Sequence, residues 1–161
     1  MNLVILNSLE SLKEFTADTI IDVRAPAEYA DDHLPGAINL PVLDDTQRAE
    51  IGTVYKRNPF MARKKGAALV ALNAANHLQG PLAAKDGGWQ PLIYCWRGGQ
   101  RSGAFATILE QVGWRVQLLE GGYRSYRREV VKALYDRPLL HRLMLIGGST
   151  GTAKTALLHQ L

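Results

Sequence analysis

The only cysteine of the chain, Cys95, begins the segment CWRGGQRS at residues 95–102, which also holds two glycines and two arginines. An apolar segment precedes it and a helical pattern follows. Backbone N–H groups and the positive end of a helix both favour a thiolate in this setting. Arg97 and Arg101 are expected to add full positive charges. The sequence therefore predicts a reactive Cys95; the alternative is a buried structural cysteine, which needs none of these neighbours.

The spacing C-x5-R between Cys95 and Arg101, followed by Ser102, indicates binding of an anion. Glycines let the backbone approach such a group closely, and a loop of this size offers several N–H donors with an arginine behind them. We predict Cys95 as the catalytic residue and an anion-binding loop made of Trp96, Arg97, Gly98, Gly99, Gln100 and Arg101. Transferases that carry sulfur or selenium on cysteine and cysteine phosphatases share this layout. Trp96 either stacks on a base or caps the loop entrance.

A second motif, GSTGTAKT at residues 148–155, differs from the phosphate-binding pattern G-x-x-x-x-G-K-[ST] by Ala153 in place of glycine. The predicted phosphate-binding residues are Gly148, Gly151, Lys154 and Thr155. Lys154 is expected to reach terminal phosphates and Thr155 a magnesium ion. The methyl group of Ala153 argues against nucleotide hydrolysis. A glycine-rich turn without function is the alternative.

Short apolar segments alternate with helical patterns along the chain, which is typical of an α/β fold with a mostly parallel central sheet flanked by helices. Strands are predicted at 3–6, 19–23, 37–41, 91–95, 116–120 and 143–147, and helices at 10–15, 26–32, 58–80 and 102–113. The segment 58–80 is expected to be the longest helix, and 83–90 a surface loop.

Pro138 argues against continuation of the preceding helix and marks a domain boundary. We predict one domain at residues 1–136 and the incomplete start of a second at 137–161. The second segment contains a strand, a glycine-rich loop and the start of a helix, which cannot bury a core of their own. A longer protein is therefore expected.

The formal net charge of +4 and pI of about 9.3 favour a polyanionic partner, although many proteins with such an excess bind none. Residues 123–142 are rich in arginine. These arginines either form a binding stripe or lie on a solvated helix face. No apolar run is long enough to cross a membrane, and residues 1–15 lack the pattern of a signal peptide, so a cytoplasmic protein is expected. Four histidines, His33, His77, His141 and His159, lack metal-ligand spacing, so neither a metal nor a tightly bound cofactor is predicted.

The segments IIDVRAPAEYADDHLPGAINLP (20–41) and LLEGGYRSY (118–126), with the Cys95 loop between them, resemble the two signatures of the rhodanese superfamily. The likeness covers most of residues 1–135. Asp22 and Arg24 are expected to form a charged pair that braces the loop, and Glu28 to pair with a nearby base. The alternative for Asp22 and Glu28 is a purely architectural role.

Together with IGTVYKRNPFMARKKGAALVALN (51–73) and the 148–155 motif, these segments are similar to the family of tRNA 2-selenouridine synthases. The resemblance implies a rhodanese-like domain followed by a P-loop domain, and tRNA with wobble 2-thiouridine as substrate. It implies that the sulfur is geranylated from geranyl diphosphate and then replaced by selenium from selenophosphate, which is supplied free or by its synthetase. Cys95 is then the essential thiol. A phosphatase of the C-x5-R type is the alternative enzyme, and a binding module with an idle thiol is the third hypothesis.

Overall fold

The computed structural model describes residues 1–136, 138, 142 and 144–160. Five parallel strands form one sheet in the order β1-β5-β4-β2-β3. They are β1 (Asn2–Val4), β2 (Thr19–Asp22), β3 (Ile38–Asn39), β4 (Pro91–Tyr94) and β5 (Gln117–Leu119). Every residue of the central strand β4 is buried. The predicted α/β class, the parallel sheet and the first five strands are therefore confirmed.

Helices cover both faces of this sheet. They are α1 (Pro26–Asp31), α2 (Asp45–Arg57), α3 (Pro59–Gln79), α4 (Gln100–Val112) and α5 (Tyr123–Tyr135), with a short 3₁₀ helix at Glu10–Glu14. One buried cluster joins β2 and β4 to α3 and α4, through residues such as Ile93, Val70 and Phe105. A second cluster on the opposite face includes Leu34 and Tyr123. Burial of these apolar side chains on both faces stabilises the layered fold.

Helix α3 contains 21 residues, begins at Pro59 and ends before Gly80, as the sequence predicts for 58–80. Proline fits the first turn of a helix because no intrahelical partner exists for its missing N–H. Helix α2 has no counterpart among the sequence predictions. Its N-terminus has a capping box in which Asp44 accepts from the Gln47 N–H at 2.7 Å and Gln47 accepts from the Asp44 N–H at 3.1 Å. This pair is the local signal for α2.

The prediction of a strand at 143–147 is wrong for the residues that the structure describes. Residues 144–147 form no strand, and only Ile146 among them is partly buried. Residue 143 lies outside the described residues. A strand needs a hydrogen-bonding neighbour, and no described strand pairs with this segment. The residues after 147 lead to α6 (Lys154–Leu158), and none of the residues of α6 is buried.

The carboxyl ends of the parallel strands meet at one edge of the sheet. Asp22 is the last residue of β2, Cys95 follows β4, and Glu120 follows β5. In open α/β sheets, ligands bind outside this edge. The fold therefore brings Cys95 and the Asp22 segment together. Within the described residues, no helix is long and apolar enough to cross a membrane.

Candidate active site

Cys95 lies at the carboxyl end of β4, with its side chain directed into a turn of backbone N–H groups. Its Sγ accepts a hydrogen bond from the Gly99 N–H at 3.3 Å and lies 3.2 Å from the Ser102 Oγ. The residue is 4% exposed. The Ser102 hydroxyl also lies 3.2 Å from the Gly99 carbonyl oxygen. One O–H donates to one acceptor at a time, and a thiolate is a stronger acceptor than a carbonyl. Ionisation of Cys95 therefore draws the hydroxyl towards sulfur.

The pKa of the Cys95 thiol is lowered. Burial raises the pKa, and hydrogen bonds that favour the thiolate lower it by more. These bonds come from the Ser102 hydroxyl and from the backbone N–H groups of Ser102, Arg97 and Gly99. Neutral donors at the start of α4 thus stabilise the thiolate, as the strand, loop and helix pattern predicts.

The largest contributions to the pKa of Cys95 are burial and hydrogen bonds, and the guanidinium groups of Arg97 and Arg101 are not among them. Arg101 instead binds Glu28, with its Nη1 2.7 Å from Oε2. Burial raises the pKa of Glu28, but the hydrogen bond and charge of Arg101 lower it by more. Glu28 is therefore ionised at neutral pH, and its expected pairing with a base is confirmed. Arg97 is exposed.

The loop rests on the turn between β5 and α5. The Tyr123 N–H donates to the Cys95 carbonyl oxygen at 2.8 Å, and the Arg124 N–H donates to the Trp96 carbonyl oxygen at 3.1 Å. Gly98 and Gly122 face each other across this contact with φ values of +69° and +57°. A Cβ at Gly98 would lie 2.9 Å from the Leu119 carbonyl oxygen. Glycine is required here by both the backbone conformation and the close approach.

Asp22 and Arg24 form the buried pair that the sequence predicts. Arg24 Nε lies 2.9 Å and Nη2 2.6 Å from the Asp22 Oδ2, and the two residues are 0% and 1% exposed. Arg24 Nη2 also donates to the Asp32 carbonyl oxygen at 2.6 Å. The guanidinium lies over the Tyr123 ring, 4.1 Å from its centroid. The pair therefore supports the turn on which the loop rests.

Trp96 covers one side of the loop. Its ring stacks on that of Tyr123, with centroids 5.3 Å apart and an interplanar angle of 29°. Tyr123 is held by its hydroxyl, which donates to the Asp32 Oδ2 at 2.6 Å. Trp96 is 40% exposed and Tyr123 only 6%. One face of the Trp96 ring is thus packed and the other remains open to a ligand.

An apolar cavity of about 270 Å³ lies on the other side of the loop, between α2, α3 and the start of α4. Its apolar wall includes Leu43, Ile51, Ala67 and Val70, and Arg101 and Gln100 of the loop form part of its lining. The cavity suits an apolar chain next to an anion-binding loop. Nothing in the sequence analysis identifies it, because its walls come from three separate segments.

Residues 148–155 form a turn that leads into α6. Lys154 Nζ donates to the Gly148 and Ser149 carbonyl oxygens at 2.8 and 2.7 Å, so it closes the turn on itself. Ala153 has a φ of +55°, a conformation that favours glycine. The alanine that departs from the phosphate-loop pattern therefore stands where a glycine is preferred. Gly151 and Thr155 are exposed.

No group of three or more metal-ligating side chains occurs among the residues that the structure describes. His33 Nδ1 lies 2.9 Å from the Tyr29 carbonyl oxygen and His77 Nε2 lies 2.9 Å from the Pro41 carbonyl oxygen. Each of these two imidazole rings therefore contacts a backbone carbonyl oxygen of the fold. His141 lies outside the described residues.

Sequence reasoning missed how Ser102, Gly122 and Tyr123 act. The sequence identifies Ser102 only as the residue after the C-x5-R spacing, and Gly122 and Tyr123 only as part of LLEGGYRSY. A serine one position after the arginine lies in the first turn of α4, which is the available signal that its hydroxyl turns back to the thiol. The contact of Gly122 with the loop has no local signal.

Replacing Ser102 by alanine is expected to raise the pKa of Cys95, because the thiolate loses its hydroxyl donor. Alanine suits the helix, so the fold is retained. Iodoacetamide alkylation followed against pH measures the change: its midpoint moves up and alkylation at pH 7 slows. Thr107→Ala removes an exposed hydroxyl from the same helix and is the control. Identical profiles for the two variants would contradict the role of Ser102.

A model of the family described as rhodanese-like domain matches residues 6–129. This span contains the strands β2 to β5, the whole Cys95 loop and the turn beneath it. The chain therefore belongs to the rhodanese-like domain family.

Within that family, the chain is similar to proteins named tRNA 2-selenouridine synthase. It is 40% identical over 151 residues to the one from Nitrosomonas europaea, covering 91% of this chain and 39% of that protein. It is 41% identical over 150 residues to the one from Salmonella arizonae, covering 89% and 40%. The resemblance stated from the sequence is confirmed. The chain spans about two fifths of the length of these relatives.

A solved structure has the same fold: the N-terminal domain of a protein described as ATP/GTP binding, from Clostridium difficile 630. It superposes with a TM-score of 0.67 at 35% identity, covering 81% of this chain and 99% of that one.

Proposed function

We propose that this chain is part of a transferase that replaces sulfur by selenium in wobble 2-thiouridine of tRNA. The observation that carries the proposal is the thiol of Cys95, stabilised as thiolate in a loop suited to an anion, in a chain with the relatives named above. Selenophosphate is the proposed selenium donor, supplied free or by its synthetase. A cytoplasmic location follows from this role.

The proposed reaction has two steps. The sulfur of 2-thiouridine first displaces diphosphate from geranyl diphosphate, so a carbon–sulfur bond forms and a carbon–oxygen bond breaks. Selenium from selenophosphate then forms a bond to the same base carbon, geranyl thiolate leaves, and water cleaves the phosphorus–selenium bond to release phosphate. Neither step needs an oxidant or a reductant. Cys95 is the essential thiol of the second step.

The loop at residues 96–101 is proposed to hold the phosphate-bearing donor next to Cys95. Helix α4 begins at Gln100, and its N-cap Gly99 provides no side-chain cap, so the positive end of the helix favours an anion beside the thiolate. The exposed Arg97 adds positive charge at the loop. These features support binding of selenophosphate or of the phosphate that it releases.

The apolar cavity beside the loop supports a co-substrate with an apolar chain, such as geranyl diphosphate. Most of its lining side chains are aliphatic, and Tyr55, Arg63 and Arg101 also line it, with Arg101 towards the loop. The segment 148–155 is proposed to bind the diphosphate of such a co-substrate through Gly148, Gly151, Lys154 and Thr155. Lys154 has to leave its present carbonyl partners to do so.

A cysteine phosphatase is the second candidate, because the loop has C-x5-R spacing. Such an enzyme needs an acid to protonate the leaving alcohol. Glu28 contacts the loop through Arg101, and its lowered pKa keeps it ionised at neutral pH. This geometry favours the transferase, whose geranyl thiolate leaving group needs less assistance.

The test is expression of the complete gene, intact and as Cys95→Ser, in cells that lack their own copy. Mass spectrometry of digested tRNA measures 2-thiouridine, its geranylated form and 2-selenouridine. The intact gene is expected to produce 2-selenouridine. The variant is expected to lose it and to accumulate the geranylated form, because the first step does not need the thiol.

Thr107→Ala, an exposed hydroxyl on the outer side of α4, is the control and is expected to match the intact gene. Absence of 2-selenouridine with the intact gene would contradict the transferase. Hydrolysis of an aryl phosphate by the intact protein, lost in Cys95→Ser, would then favour the phosphatase. Normal 2-selenouridine in the Cys95→Ser variant would exclude this thiol from the chemistry.

A further inference from the structure

A groove beside Cys95 combines an exposed aromatic ring with a row of arginines. Trp96, Tyr123, Arg124, Arg127, Arg128 and Val131 line it, and we name it the basic groove. It begins at the residue after the thiol and follows α5. The site described above uses none of its arginine side chains.

The three arginines lie on one face of α5, because their spacing of three and four residues places them on adjacent turns. All three are exposed. None of them forms a side-chain ion pair or hydrogen bond with a residue that the structure describes. By contrast, Lys132 on the same helix is paired with Glu129 at 2.7 Å. The groove therefore presents three cations that form no ion pair within the described part of the chain.

The aromatic end of the groove is preorganised. Trp96 packs one face on Tyr123, whose ring is fixed by the hydrogen bond to Asp32 and by Arg24 beneath it. The other face of Trp96 is open, and a large exposed aromatic side chain next to a reactive group is a typical ligand contact. An unpaired base stacked there would lie next to Cys95.

We propose that the basic groove binds single-stranded RNA, with an unpaired base stacked on Trp96 and the following phosphates on Arg124, Arg127 and Arg128. This inference rests on the proposed function, since it takes RNA as the substrate and assigns where it binds. Stacking on aromatic rings together with a row of cations is how proteins bind unpaired RNA.

Asp31 and Asp32 line a neighbouring pocket together with Trp96, Tyr123 and Arg127. Asp32 is engaged by the Tyr123 hydroxyl, and Asp31 is exposed. Two carboxylates repel phosphate, so the phosphates are expected along α5, away from Asp31 and Asp32. A duplex is disfavoured, because its bases are not free to stack on Trp96.

The experiment measures binding of a fluorescein-labelled RNA hairpin with an unpaired, uridine-containing loop to the 161-residue chain. A fully paired RNA duplex of the same length is the comparison probe. The variants are Trp96→Ala, Trp96→Phe, and the triple replacement of Arg124, Arg127 and Arg128 by alanine. The matched control replaces Lys56, Arg57 and Lys64, three exposed cations of α2 and α3, by alanine and has the same net charge. Circular dichroism confirms the fold of each variant.

The hairpin is expected to bind more tightly than the duplex. Trp96→Ala should weaken hairpin binding by about tenfold, and Trp96→Phe by less, since each stacked base contributes on this order. The triple variant should lower the slope of log affinity against log salt by about two, because each phosphate contact contributes about 0.7. The α2 and α3 control should change affinity less than about threefold.

Equal loss in the control, equal binding of hairpin and duplex, or no hairpin binding would each overturn the inference. These results do not depend on catalysis. If cells make no 2-selenouridine but the binding pattern holds, the groove is an RNA site and the proposed function is wrong. If 2-selenouridine forms and the variants bind RNA normally, the proposed function stands and the groove is not the RNA site.

Discussion

Replacing Asp22 by alanine is expected to lower the free energy of unfolding by about 3–5 kcal/mol, the cost of leaving one member of a buried ion pair without its partner. Arg24 is 1% exposed, and its guanidinium and its backbone N–H all donate to the Asp22 carboxylate. Without that carboxylate, a cation remains buried at the end of β2. Urea denaturation followed by tryptophan fluorescence measures the loss.

The exposed pair Lys65–Glu50 is the matched control, since both side chains are nearly half exposed. Glu50→Ala is expected to cost at most about 1 kcal/mol because water replaces the lost partner. A double variant, Asp22→Leu with Arg24→Met, removes both charges and should recover most of the stability lost in Asp22→Ala. Equal unfolding free energies for Asp22→Ala and Glu50→Ala would show that the buried pair does not brace the fold.

The sheet could be predicted from the sequence because each buried strand is a short apolar run bounded by turn residues. PLIY is the plainest example, and all four of its residues are buried. Residues 144–147 show the limit of this argument. Their apolar pattern is that of a strand, but a pattern reports side-chain chemistry and not whether a neighbouring strand is present to accept its hydrogen bonds.

Helix α2 shows a different limit. Its residues Asp45–Arg57 include few apolar side chains, and none of them is buried. The apolar periodicity that predicts helices is therefore weak there. The capping box at Asp44 and Gln47 is the stronger signal.

The lowered pKa of Cys95 could be predicted because its causes are local: strand, loop and helix are contiguous in the chain. The ion-pair partner of Arg101 could not be predicted, because Glu28 lies on α1, far from Arg101 in the sequence. A charged residue that is close to a cysteine in the sequence pairs with the opposite charge that the fold places nearest to it. Arg101 therefore orders the loop through α1, while neutral N–H groups and the Ser102 hydroxyl lower the pKa of Cys95.

Replacing Gly122 by alanine is expected to displace the Cys95 loop. A Cβ at Gly122 would collide with the Cys95 carbonyl oxygen and lie 2.6 Å from the Gly98 nitrogen. These neighbours are backbone atoms, so no side-chain rotation relieves the contact. The donors that point at Cys95 Sγ then move, and the pH midpoint for alkylation should rise towards about 8.5, the value of an unperturbed cysteine. Activity in the tRNA assay should fall with it.

Gly113→Ala separates crowding from backbone conformation. Gly113 has a φ of +109°, but a Cβ there meets nothing within 4 Å. Both variants pay for a conformation that alanine disfavours, on the order of 1–3 kcal/mol, and only Gly122→Ala also pushes on the loop. The Gly113 variant should therefore lose stability with an unchanged alkylation profile. If Gly122→Ala also leaves that profile unchanged, the turn between β5 and α5 does not position the thiol, and the loop holds its shape through α4 alone.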